Sequence, residues 1–71
     1  MKSSKFNKMY DMYNSINDMD MKVFNIYHDW MYDVLQESYD VEDDDDDYSD
    51  KLFNRMKSLH LSAKHMNDAI G

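Results

Sequence analysis

Apolar side chains recur at helical period along most of the chain. Phe6, Met9, Tyr10, Tyr13 and Ile16 fall at i, i+3, i+4, i+7 and i+10, one stripe that predicts a helix over about residues 4–17. Lys5, Lys8, Asp11 and Asn14 take the remaining surface. The stretch Asn17, Asp18, Met19, Asp20 interrupts the stripe, and Asp18 or Asp20 can cap a following helix by accepting backbone N–H bonds. That second helix, over about 20–38, carries Val23, Phe24, Tyr27, Trp30, Met31, Val34 and Leu35 on one face. Trp30 lies near its middle and is expected to be the main anchor between helices. With no glycine or proline to enforce the break, the same pattern also accommodates helices one and two as a single rod.

A third stripe, Leu52, Met56, Leu59, Ala63, Met66 and Ile70, alternates steps of four and three, with Phe53 beside it and Gly71 where a C-cap would stand. It predicts a helix over about 50–70, capped by Ser49 or Asp50. Ser62 could cap a separate fourth helix, but the stripe keeps its phase through His60 to Ser62, which favours one element. Between helices two and three, a helix through Glu37 to Tyr48 would stack like charges at i+3 and i+4. Aspartate is also a poor interior helix residue, so residues 39–49 are expected to form an extended, solvated acidic loop. The fold class is therefore all-α, a small three-helix bundle in one domain spanning residues 1–71. The sole glycine is terminal and proline is absent, which disfavours tight hairpins.

Charge changes the picture more than composition does. Residues 1–36 hold four Lys against five Asp; residues 37–50, ESYDVEDDDDDYSD, hold nine acids and no base; residues 51–71 hold three Lys and one Arg against one Asp. The net charge of −7 is thus concentrated in one block between near-neutral and basic segments. No Cys is present, so neither a disulfide framework nor a thiol nucleophile is available and a reducing cytoplasm is allowed. No run is long and apolar enough for a secretion signal or a membrane span.

Catalytic and metal chemistry find little support. Asp43, Asp45 and Asp47 have the 1, 3, 5 spacing of a calcium loop, but Tyr48 replaces its turn glycine and Asn54 its bidentate glutamate. His60 and His65 are five positions apart, well over a hundred degrees around a helix, and His28 adjoins Asp29 on a different face. A phosphate cradle needs internal glycines, and the serines lack a nucleophile-elbow context. Paired carboxylates abound at residues 42–47, yet catalysis requires them held beside an enclosed substrate. No enzyme activity, cofactor or metal is expected.

The acidic block can act in recognition. Aspartates at this density present charge at a spacing comparable to the roughly 1.7 Å per charge of duplex DNA, enough to occupy a basic groove and to steer association. The candidate contact residues are Tyr39, Asp40, Glu42, Asp43, Asp44, Asp45, Asp46, Asp47 and Tyr48, tyrosine supplying contact area beside charge. Tyr32 is expected to be exposed, and Met12, Met19 and Met21, off the main stripes, either pack at helix ends or form an adaptable contact patch. The block Glu42 to Asp47, the short length and the lack of a catalytic motif resemble the small acidic helical inhibitors encoded by bacteriophages. Some of those imitate DNA to block host nucleases, restriction enzymes, transcription proteins or defence complexes. The resemblance implies a cytoplasmic inhibitor or modulator, in the host cytoplasm if phage-encoded, whose partner is a nucleic-acid-processing or defence protein with a basic surface.

A second reading is a structural or assembly protein that oligomerises or docks through apolar helical faces, its acidic run only a solubilising linker. A third, nucleic-acid binding by Lys51, Arg55, Lys57 and Lys64, is disfavoured by the repulsive field of the adjacent acids. Direct nucleic-acid binding and membrane association are not expected.

Overall fold

The computed structural model describes residues 2–71 as three helices and one short 3₁₀ turn. Helix α1 spans Ser3–Ser15, the 3₁₀ turn Ile16–Asp18, α2 Met21–Tyr39 and α3 Asp46–Ile70. The helices run up, down and up. Phe6 near the start of α1 meets Tyr39 at the end of α2, and Lys5 forms an ion pair with Asp50 near the start of α3. At the opposite end, the Asp20 N–H before α2 donates to the Asn67 side-chain oxygen near the end of α3 (2.8 Å). The bundle measures 41 × 17 × 15 Å.

Helices one and two are separate, and the break needs neither glycine nor proline. After the 3₁₀ turn the Met19 N–H returns to the Ile16 carbonyl (3.1 Å), and the Asp20 carboxylate caps α2 by accepting the Lys22 N–H (2.9 Å). Among the described residues none takes a positive φ, so both connections are built from right-handed and extended backbone alone. Helix α3 is continuous through His60 to Ser62, as the unbroken phase of its stripe implied.

The core is centred on Met9, Met31 and Met56, one methionine from each helix, and is completed by Ile16, Val23, Val34, Leu35, Leu52 and Ala63. Unbranched thioethers fill the irregular space where three helices meet. Phe6, Tyr13, Tyr27, Phe53, Leu59 and Met66 pack around it, half-buried. Of the off-stripe methionines, Met12 and Met19 pack against the core from helix ends, and Met21 is exposed.

Two expectations about this architecture are corrected. Trp30 does not anchor the helices: it is 54% exposed, while its neighbour Met31 is fully buried. The apolar stripe of α2 is wider than the face two neighbouring helices can cover, and Trp30 occupies its border. Tyr10 and Ile70, at stripe positions of α1 and α3, are likewise exposed. The second correction concerns the 39–49 loop, which is shorter than expected. Tyr39 closes α2, and Asp46, Asp47, Tyr48 and Ser49 already belong to α3, whose cap is Asp45 in place of Ser49 or Asp50. Acids in a first turn face unsatisfied N–H groups and the positive end of the helix dipole, a local attraction that offsets their mutual repulsion.

Candidate functional site

The acidic segment is built as the junction between two helices. At the end of α2 the Asp40 and Val41 N–H groups return to the Glu37 and Ser38 carbonyls (3.2 and 3.4 Å), turning the chain out of the helix. Val41 then folds inward and is only 7% exposed, pinning the connection to the core. Below it the buried Ser38 hydroxyl donates to the Val34 carbonyl (2.8 Å). The Asp45 N–H donates to the Glu42 carbonyl (3.1 Å), and the Asp45 carboxylate accepts the Tyr48 N–H (3.2 Å). The Ser49 hydroxyl donates to the Asp45 carbonyl (2.9 Å), fixing the first turn of α3 from its buried side. The segment is therefore turned and pinned, where sequence reasoning expected it extended.

All nine sequence-derived contact residues are exposed at this end of the bundle. Tyr39 lies against Phe6, ring centroids 4.8 Å apart. Asp40, Glu42, Asp43, Asp44 and Asp45 occupy the connection, and Asp46, Asp47 and Tyr48 the first turn of α3. The Tyr48 hydroxyl donates to the Glu37 carboxylate (3.1 Å), joining the two helices across the junction. That hydrogen bond and the charge of Glu37 raise the Tyr48 pKa above its ordinary 10.0, favouring the protonated phenol that donates in this contact. A recess of about 390 Å³ between Glu37, Asp40, Val41, Glu42, Asp45 and Tyr48 opens on this surface.

Sequence reasoning missed the contribution of α2. Asp33, Glu37 and Asp40 fall at i, i+4 and i+7, so the acidic surface continues from the junction down one face of that helix. The i, i+4, i+7 spacing is the sequence signal for it, and it lies outside the contiguous aspartate run. The cations of α3, by contrast, do not share one face. Arg55 lines a groove with Trp30 on the α2 side, while Lys57 lines a hollow with Met12 on the α1 side and lies 5.7 Å from the Phe53 ring centroid.

Among the described residues no group of three or more His, Asp or Glu is placed to hold a metal ion. Asp43, Asp45 and Asp47, the calcium-loop candidates, fall on a turn, a cap and a helix, with the Asp45 carboxylate engaged by the Tyr48 N–H. The His28 Nδ1–H donates to the Phe24 carbonyl (2.8 Å), and the ring stacks on that of Phe24 and lies 3.1 Å from the Asp29 carboxylate, a surface packing arrangement. No described helix is long and apolar enough to cross a membrane. No family model, characterised protein or solved structure matches this chain.

Proposed function

We propose that this small helical bundle is a protein-binding inhibitor or modulator whose acidic end occupies a basic, nucleic-acid-binding surface of another protein. The carrying observation is that the acids of residues 40–47 are exposed on a junction held by two helix ends, the Asp45 cap and the buried Val41. An acidic tail left flexible would lose conformational entropy on binding, whereas a pinned junction has lost most of it on folding. Tyr39 and Tyr48 flank the charges and add apolar contact area. Association through apolar helical faces, the second sequence expectation, concerns a different surface and is compatible with this reading.

The test is capture from the native cell with the immobilised protein, beside a bait in which Asp43 to Asp47 are replaced by Asn. A partner retained by the first bait, released by duplex DNA and by salt, and absent from the second is the expected result. Identical captured proteins on both baits, indifferent to duplex competitor, would exclude it. Asparagine caps helices about as well as aspartate, so the variant keeps the α3 start and changes charge alone.

A further inference from the structure

Trp30 is a large aromatic left mostly in water, yet its position is fixed. The Tyr27 ring packs edge-on against it, centroids 5.6 Å apart at 89°. Trp30 forms one wall of a groove of about 340 Å³ between α2 and α3, completed by Asp33, Val34, Glu37, Arg55 and Leu59. Ile26, one turn earlier on α2, is 41% exposed. One face of the bundle thus carries an apolar centre together with two carboxylates and a guanidinium. Arg55 and Asp33 share the groove without forming an ion pair with each other.

We infer that this face is the interface of a two-fold symmetric homodimer, in which Trp30 of each copy packs near the axis and Arg55 faces Asp33 and Glu37 of the opposite copy. An isologous contact requires one patch to complement itself, and a patch with both charge signs around an apolar centre does so. A wholly basic partner would be opposed by Arg55, and a wholly acidic one by Asp33 and Glu37. Tryptophan and arginine are the residues that most often dominate interface energetics. Of the two orientations a two-fold allows, the one with its axis across the helices runs the copies antiparallel, which separates their acidic ends and lowers the repulsion between two chains of −7 each. The acids of residues 40–47 lie outside the groove and remain open.

Sedimentation velocity from low-micromolar to sub-millimolar concentration tests the dimer with the wild type, Trp30→Ser, Arg55→Glu and the double variant Asp33→Lys/Glu37→Lys. The wild type is expected to dimerise, each variant to weaken the dimer by about tenfold or more, and a mixture of the two charge variants to recover it. That mixture presents one all-acidic and one all-basic groove. Circular dichroism confirms that each variant keeps its helices; if Trp30→Ser does not, the charge variants alone decide. A wild type that stays monomeric throughout overturns the proposal, as does a dimer that Trp30→Ser or Arg55→Glu, still folded, leaves at full strength. Failure of the mixture to recover association overturns the charge pairing.

Discussion

Trp30 and Met31 are neighbours in α2 with opposite surroundings, and the contrast gives the sharpest test of the packing. Met31 is fully enclosed, so Met31→Ala removes side-chain contacts and leaves a cavity, a loss of about 2–5 kcal/mol. Trp30→Ala, at a mostly solvated site, is expected to cost about 1 kcal/mol or less in dilute solution. In a chain of this length each kcal/mol corresponds to roughly 4–8 °C, so thermal melts separate the two variants clearly. Equal losses would mean that Trp30 is an internal anchor after all. His60 offers a pH test at the same scale. Its partial burial, reinforced by Lys64, disfavours the imidazolium and lowers its pKa below the ordinary 6.5. The unfolded chain therefore takes up this proton first as pH falls. The stability linked to His60 is present above about 6.5 and is lost as pH falls through the lower folded-state value. His60→Gln should remove that part of the pH slope, and the difference between variant and wild-type melting curves at pH 7.5 and pH 5.5 reads it. A difference that stays constant between the two would show that folding leaves this imidazole unperturbed.

The start of α3 shows how an element forms where like charges would seem to forbid it. Asp45 satisfies an N–H that the helix cannot, and Asp46 and Asp47 stand where the helix dipole favours negative charge. Asp45→Ala should therefore lower stability by about 1 kcal/mol, whereas Asp45→Asn should be nearly neutral. Urea titrations compare the two, and equal losses would assign the effect to charge instead of capping. This element also marks where sequence reading reached its limit. The three apolar stripes and the continuity of α3 were legible because each rests on a long apolar period, whereas the break before Asp20 stood beside a single-rod reading because only a local cap marks it. The α3 start was not, because repulsion within Asp43 to Asp47 and attraction to the helix end act in opposite directions on the same residues. The inward turn of Val41 was hidden for a different reason. A single apolar residue amid acids has no periodicity, and its burial is set by the space left between α2 and α3. Trp30 failed likewise at the edge of a stripe, where the composition cannot say how wide an arc the other helices cover.

At the scale of the molecule, the fold gathers the acids of residues 37–47 at one end, with Asp33 on the adjoining face of α2. Exposure of all nine candidate contact residues makes them available to a partner, while the α2 acids Asp33 and Glu37 belong to the groove around Trp30. The apolar groove around Trp30 lies on the α2–α3 side, leaving the junction itself free to engage a second protein. Electrostatic recognition has a definite signature, because a contact built on several charges weakens as salt rises and loses that dependence when the charges are removed. The decisive measurement is calorimetric titration of the captured partner with the wild type and with the Asp43 to Asp47 asparagine variant across a series of salt concentrations. The variant is expected to bind about tenfold or more weakly with a flatter salt dependence. Equal affinity and an equal salt slope for the two proteins would contradict the role proposed for the acidic end.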